Sequence, residues 1–262
     1  MDWLRFGTSF DEAGGKWECQ RGRIVSKLLI SVRNQDEALQ AYAGGADIID
    51  IKDPRYGSLG APVPSVIQSI VHTVPTAMVS VAAGDLPNWP GTVALAIRGA
   101  LTIPGIRWVK VGLVGPYALS SMEGVWQALK SENVSQIIPV FYLDQDTWPV
   151  IKEATLAAAE IGIAAVVYDT LSKGQGFDFW VSGQRLASLI RIAQDRGMWV
   201  GIAGHVTRSN LHLALDAGAD VVGVRTAVCR NEERNGPLDA RLVREFKQLI
   251  HPEKCAEEVG GV

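Results

Sequence analysis

The sequence predicts an α/β protein that folds as a single (β/α)8 TIM barrel with an N-terminal extension. From Lys27 onward, short apolar runs typical of buried strands alternate with longer segments of helical periodicity. Eight such strand–helix units fit into about 225 residues, which is within the usual size of this fold. An open doubly wound sheet is the alternative, but the first predicted strand ends in Ser31-Val32-Arg33-Asn34 instead of a glycine-rich phosphate-binding turn.

The eight predicted strands are short apolar runs, many of them rich in the β-branched residues that favour buried strands. They span residues 27–32, 46–52, 77–82, 106–111, 136–141, 164–169, 198–202 and 220–224. The second strand is followed, much later in the chain, by a similar segment: Gly45 to Lys52 resembles Gly218 to Arg225. Each of the two begins with a glycine, continues as a buried strand and ends in a polar residue, as expected of equivalent units in one barrel.

A predicted helix follows each strand, and glycine or proline marks several of the helix ends. The helices span residues 35–43, 63–72, 92–100, 121–130, 147–161, 184–196, 209–217 and 238–250. Gly44-Gly45 stops the first, and Pro62 and Pro64 stand near the start of the second, where proline is tolerated. We therefore predict a barrel domain at residues 27–251, between an N-terminal extension at residues 1–26 and a C-terminal tail at residues 252–262.

Composition narrows the function classes. The chain has 262 residues, 47% of them hydrophobic, and a formal net charge of -3. No basic block indicates nucleic-acid binding, and no apolar run is long enough for a membrane helix. The three cysteines lack metal-site spacing, and the N-terminus lacks the order of a signal peptide, so we expect a cytoplasmic protein. The extension is expected to be a loosely ordered arm, the result of a start codon placed too early, or an arm that packs on a partner subunit. The last of these would make the protein a homo-oligomer.

Charged residues stand at the C-terminal ends of the even-numbered predicted strands, where barrels of this kind place their active sites. Side chains from alternate strands share a layer in the barrel, so these residues are expected to converge near its axis. They are Asp50 and Lys52 on strand two, Lys110 on strand four, Asp169 and the following Lys173 on strand six, and Arg225 on strand eight.

Two lysines and several aspartates in one small barrel mouth predict carbonyl chemistry. A free lysine is a poor nucleophile at neutral pH because its pKa is about 10.4, but burial and a second lysine lower that value. The neutral amine then attacks an aldehyde or ketone and forms a Schiff base, while the aspartates move protons or hold the other ammonium. The alternative is that these residues form ion pairs that only tie the rim of the barrel together.

The loops after strands seven and eight contain small residues that are typical of phosphate binding through backbone N–H groups. The candidate phosphate or substrate residues are Gly204, His205, Gly223, Arg225 and Thr226. The alternative is that the glycines only end these strands tightly. The four histidines lack ligand spacing, so we expect no metal site.

Six short motifs together resemble those of the (5-formylfuran-3-yl)methyl phosphate synthase family of methanofuran biosynthesis. They are Asp50-Ile51-Lys52-Asp53-Pro54, Gly57-Ser58-Leu59-Gly60-Ala61, Gly84-Asp85, Lys110-Val111-Gly112-Leu113, Asp169-Thr170 with Lys173, and Gly223-Val224-Arg225. The resemblance covers Leu28 to Leu249; the extension has no counterpart in it, and Gly204-His205-Val206 differs from the serine-containing loop associated with the family.

The resemblance implies a lyase that condenses two glyceraldehyde 3-phosphate molecules into a furan aldehyde phosphate, with loss of phosphate and water. It implies that Lys52 forms the Schiff base, that Lys110 transfers protons, and that Asp50, Asp169 and Lys173 belong to the site. It implies no cofactor, since the imine itself is the electron sink. Two other hypotheses stay open: a different Schiff-base enzyme of the aldolase type that acts on a phosphorylated sugar, and a non-catalytic partner protein.

Overall fold

The computed structural model describes residues 26–117 and 119–251 and confirms the predicted barrel. Eight strands close into a barrel in the order β1 to β8, and every neighbouring pair is parallel. The strands are β1 Lys27–Val32, β2 Ile48–Ile51, β3 Met78–Pro87, β4 Trp108–Val114, β5 Ile137–Tyr142, β6 Ala165–Asp169, β7 Trp199–Ile202 and β8 Val221–Val224. The predicted N-terminal extension, apart from Ser26, and the predicted C-terminal tail lie outside the described residues.

Helices connect successive strands around the outside of the barrel. They are α1 Gln35–Ala43, α2 Pro64–Thr73, α3 Pro90–Leu101, α4 Leu119–Lys130, α5 Trp148–Glu160, α6 Phe177–Trp180, α7 Gly183–Gln194, α8 Leu211–Asp216 and α9 Ala240–Ile250. Local chemistry fixes several of their ends: the Asn34 side chain accepts a hydrogen bond from the N–H of Glu37 at the start of α1, and Asp239 caps α9 in the same way. None of these helices is both long and apolar enough to cross a bilayer.

Strand β3 differs from its prediction, because it continues to Pro87 where the sequence pattern ends at Ala82. Its pairing with β4 shifts register between Ala82 and Asp85 and then resumes. An irregularity of this kind adds residues to one strand of a pair, which breaks the apolar alternation on which the prediction depended. The consequence is that Asp85 stands above the barrel mouth on a strand and not on a loose loop.

The main hydrophobic core lies between the barrel wall and the helices. Side chains that point outward from the strands, such as Ile30, Ile49, Val109 and Phe141, are fully buried there. The inward side chains alternate with them, so a strand of this fold is buried on both faces. This alternation sets which residues enter the barrel: Asp50 points inward because Ile49 and Ile51 point to the helices.

The loop between β2 and α2 folds back over one half of the barrel mouth. Leu59 in this loop is buried against Ala82, Val140 and Tyr142, which line the barrel on the β3–β5 side. Within this loop, Gly60 packs directly against the backbone of Asp53. A Cβ atom at position 60 would lie 2.1 Å from the carbonyl oxygen of Asp53, so a larger residue does not fit there. The open part of the mouth is therefore confined to the opposite half, between β6 and β2.

Candidate active site

Asp50 lies inside the barrel and binds side chains from three other strands. Ser31 on β1 and Ser80 on β3 are its register partners, so all three side chains point inward at one level. Its carboxylate accepts hydrogen bonds from Ser31 Oγ at 3.1 Å, Ser80 Oγ at 2.7 Å and Lys110 Nζ at 2.7 Å. Asp50 is fully buried, and these three donors compensate its carboxylate for the loss of hydrating water.

Lys52 differs from the other lysines of the site because its amine is unpaired. It is 5% exposed, and its amine makes no hydrogen bond or ion pair with any residue in the described part of the chain. Burial, with the nearby charge of Lys110, lowers the pKa of Lys52 to about 7, although Asp169 and Asp50 act in the opposite direction. About half of the Lys52 amine is therefore neutral at pH 7, as a nucleophilic amine requires.

Asp169 and Lys173 form the second ion pair of the site. The Asp169 carboxylate accepts hydrogen bonds from Lys173 Nζ at 2.5 Å and from the N–H of Thr170 at 2.7 Å. Burial alone would raise the pKa of Asp169, but the ammonium groups of Lys173 and Lys52 lower it to about 2. Burial also lowers the pKa of Lys173. Asp169 is thus an ionised group at neutral pH, placed beside two amines.

One cavity brings nearly all of the predicted residues together. It contains about 400 Å³ of empty space, including its open side. Every residue of the predicted site except Asp50 lines it, that is Lys52, Lys110, Asp169, Lys173, Gly204, His205, Gly223, Arg225 and Thr226. Asp50 lies beneath the cavity, in contact with Lys110. The convergence of the even strands, expected from the barrel geometry, is therefore present, while the individual roles stay predictions.

The Arg225 guanidinium, predicted to meet the substrate, is engaged by acceptors of the protein itself. It donates to the Glu37 carboxylate at 2.8 and 3.2 Å, to the carbonyl oxygen of Ser31 at 2.8 Å and to that of Arg234 at 2.8 Å. Glu37 is itself buried in the first turn of α1 and accepts from Arg33 as well. The long Arg225 side chain leaves the strand end and turns to this carboxylate, so it ties β8 to β1 and α1.

We expect Glu37→Gln to destabilise the protein by about 3 kcal/mol, since it leaves Arg225 as a buried charge without a carboxylate partner. Urea unfolding would measure this loss. Glu160→Gln is the matched control, because Glu160 is exposed at the end of α5 and should change the unfolding free energy by less than about 0.5 kcal/mol. A loss below about 1 kcal/mol for Glu37→Gln would mean that water or another group compensates the arginine.

Three features of the site were not predicted from the sequence: the serine partners of Asp50, the contacts that Asp85 makes, and the cavity residue Arg234. Ser31 and Ser80 are single polar residues at inward positions of apolar strands, a signal that could have been found once the inward face of β2 was known. Asp85 accepts hydrogen bonds from the N–H of Leu59 at 3.0 and 3.1 Å and from the hydroxyl of Tyr142, and so fastens the β2–α2 loop. Arg234 lines the cavity from the loop after β8, and no local pattern in that mixed-charge loop marks it.

Solved structures of other proteins share the fold. Phosphoribosyl anthranilate isomerase from Thermotoga maritima superposes with a TM-score of 0.60 at 16% identity, over 87% of this chain and 99% of the isomerase. The isomerase from Thermus thermophilus gives a TM-score of 0.57 at 14% identity, over 86% and 98% of the two chains. Identities this low establish the barrel architecture alone.

Sequence comparisons are more specific. The family model described as 4-HFC-P synthase matches residues 28–247. Proteins named (5-formylfuran-3-yl)methyl phosphate synthase are similar to the chain: the one from Methanothermobacter thermautotrophicus is 39% identical over 233 residues, covering 85% of this chain and 98% of the relative. The one from Methanocaldococcus jannaschii is 36% identical over 233 residues, with the same coverage of both chains.

Proposed function

The chain belongs to the 4-HFC-P synthase family, and on that premise we propose that it condenses two glyceraldehyde 3-phosphate molecules into (5-formylfuran-3-yl)methyl phosphate. One phosphate and water leave in the reaction, which makes the enzyme a carbon–oxygen lyase. The product would serve the biosynthesis of methanofuran or a related C1 carrier. The observation that carries the proposal is the buried, unpaired amine of Lys52, with a pKa of about 7, at a cavity rich in cations.

Lys52 begins the proposed reaction as the nucleophile. Its neutral amine attacks the carbonyl carbon of one triose phosphate, and the resulting carbinolamine loses water to form an imine. The protonated imine withdraws electrons from the neighbouring carbon, so a proton there can leave and an enamine forms. In this way the substrate's own imine supplies the electron sink, and the chain provides the amine that builds it.

The two ion pairs supply and accept the protons of the later steps. Lys110, held by Asp50 at 2.7 Å, is the proposed proton-transfer group on one side of the cavity. Asp169 and Lys173, joined at 2.5 Å, are placed on the other side. The enamine carbon forms a C–C bond to the second triose, whose phosphate leaves. A hydroxyl of that triose then adds to the imine carbon and closes the ring, the Lys52 amine leaves, and loss of a second water gives the aromatic furan.

Incubation with glyceraldehyde 3-phosphate alone tests the proposed function. We expect a product with the mass of the furan aldehyde phosphate, one inorganic phosphate released per product, and strong near-ultraviolet absorbance. A sugar bisphosphate formed without phosphate release would instead identify an aldolase. No consumption of the triose phosphate would contradict both enzymes.

The pH dependence of imine trapping tests the role of Lys52. Because the free amine is the reactive form, borohydride trapping of the triose on the Lys52 peptide should rise through pH 7 and level off above it. At pH 5 about 1% of the amine is neutral, so the initial rate of trapping should be about 100-fold lower than on the plateau. A free N-acetyl-lysine control, with a pKa of about 10.4, should show no plateau near neutrality. A midpoint above pH 9 for Lys52 would contradict the lowered pKa.

A further inference from the structure

The cavity walls carry far more positive than negative charge. Five cationic side chains and one carboxylate line it: Lys52, Lys110, Lys173, Arg225, Arg234 and Asp169. Three of the cations have a carboxylate partner, and the pairs are Lys110–Asp50, Lys173–Asp169 and Arg225–Glu37. Among the described residues, the two without a partner are Lys52 and Arg234.

These two unpaired cations differ in whether they can lose their proton and become neutral. Lys52 can release its proton, and its lowered pKa already makes half of it neutral near pH 7. An arginine does not lose its proton under these conditions, so Arg234 remains charged. Its Nη2 atom is buried and has no hydrogen-bond partner among the described residues. A buried guanidinium nitrogen without an acceptor is costly, and an anion that accepts a hydrogen bond from it would remove this cost.

We infer that Arg234 binds the phosphate group of the triose whose carbonyl carbon lies at Lys52. This inference rests on the proposed function, because that function supplies a substrate with an aldehyde at one end and a phosphate at the other. Arginine suits the task, since its planar fork donates two parallel hydrogen bonds to a phosphate. Arg234 is also close enough to Lys52 for its charge to contribute to the lowered pKa of that amine.

The role of Arg225 follows from the same arrangement. Its Nε donates to the carbonyl oxygen of Arg234 at 2.8 Å, while its other nitrogens are held by Glu37 and Ser31. Arg225 thus fixes the backbone of the loop that carries Arg234. It positions the phosphate-binding residue and does not itself bind phosphate.

Arg234→Gln tests the inference, with Arg230→Gln as its matched control. Arg230 lies in the same loop, carries the same charge and has a 63% exposed side chain. Its one ion pair with a residue in the described part of the chain is to Asp239, at 3.6 Å. The measurement is the aldehyde concentration that half-saturates borohydride trapping on Lys52, for glyceraldehyde 3-phosphate and for unphosphorylated glyceraldehyde. For Arg234→Gln we expect this concentration to rise about 30-fold for the phosphorylated triose, equivalent to about 2 kcal/mol, and to change less than about twofold for glyceraldehyde.

Two results would overturn the inference. One is an unchanged half-saturation for the phosphorylated triose; the other is an equal rise for both aldehydes, which would indicate a change in cavity shape. Binding of inorganic phosphate, measured by calorimetry, tests the phosphate site without requiring that the protein form a furan. If wild-type protein makes no furan but binds phosphate, and Arg234→Gln abolishes this binding while Arg230→Gln retains it, the phosphate site stands and the proposed function fails.

Thermal unfolding distinguishes a binding role from a structural one. Without phosphate, Arg234→Gln should be at least as stable as the wild type, because it removes a partly buried guanidinium whose Nη2 atom lacks a partner. Added phosphate should raise the unfolding temperature of the wild type and of Arg230→Gln, but not that of Arg234→Gln. A lower unfolding temperature for Arg234→Gln in phosphate-free buffer, with phosphate stabilising it as in the wild type, would assign Arg234 to the fold instead.

Discussion

Lys52→Met is expected to abolish furan formation, with a loss of at least about 10⁴-fold in kcat, because the other two lysines of the cavity, Lys110 and Lys173, are held in ion pairs with Asp50 and Asp169. Borohydride with glyceraldehyde 3-phosphate should leave an adduct on the Lys52 peptide of the wild type and none at this position in the variant. Lys152→Met is the matched control, since Lys152 lies on α5 with its ammonium over the Trp148 ring, away from the cavity. Residual furan formation above about 1% of the wild-type rate would contradict a Schiff base on Lys52.

The same variant should be more stable than the wild type at neutral pH. Burial lowers the pKa of Lys52 to about 7 in the folded state, against about 10.4 in the unfolded chain. Between these two values the unfolded chain binds more protons, so the stability of the wild type rises with pH. The gain from Lys52→Met, of the order of a few kcal/mol at pH 7, should therefore vanish above pH 10.4. A loss of stability at pH 7 would mean that the amine has a partner.

Strand geometry explains how much of this site was predictable. Asp50 and Lys52 are two residues apart on a strand, which places both on the inward face, and the structure shows both side chains inside the barrel mouth. The convergence of Lys110 and Asp169 with Lys52 follows equally from the barrel, because alternate strands share a layer. These predictions needed only the strand period and the closed topology.

Long side chains and loops were not predictable in the same way. Arg225 turns to Glu37, which is 188 residues away along the chain, and no local pattern links the two. Ser58 reaches across the mouth to the Asp169 carboxylate at 3.3 Å, because Asp85 holds the neighbouring Leu59. Such contacts depend on the folded positions of several elements at once, and a one-dimensional pattern carries no information on them.

The contacts of Asp50 bear on a question that the sequence left open. The sequence alone allows the carboxylate to orient Lys52, accept its proton or balance its charge. In the structure the carboxylate binds Lys110 at 2.7 Å, together with Ser31 and Ser80, and no hydrogen bond joins it to Lys52 among the described residues. Asp50 therefore holds Lys110, and its influence on Lys52 acts only through its charge.

Asp50→Asn should show by experiment whether Asp50 acts on Lys110 or on Lys52. The variant leaves Lys110, which is 4% exposed, without its carboxylate partner, and we expect a loss of about 3–5 kcal/mol in the free energy of unfolding. Adding Lys110→Met should recover most of this loss, because the double variant removes the unpaired charge as well. Asp36→Asn, at an exposed position in α1, is the control and should change stability by less than about 0.5 kcal/mol.

The chemical readouts of Asp50→Asn follow from the same contact. Furan formation should fall by about 10²–10⁴-fold, the range for loss of a positioned proton-transfer group. Borohydride should still trap the triose on Lys52, because the variant leaves that amine in place, and a slightly lower Lys52 pKa should shift the trapping profile to lower pH, since a negative charge that favours the ammonium has been removed. If the adduct on Lys52 disappears in folded Asp50→Asn protein, the carboxylate serves Lys52 directly, and the assignment of Asp50 to Lys110 is wrong.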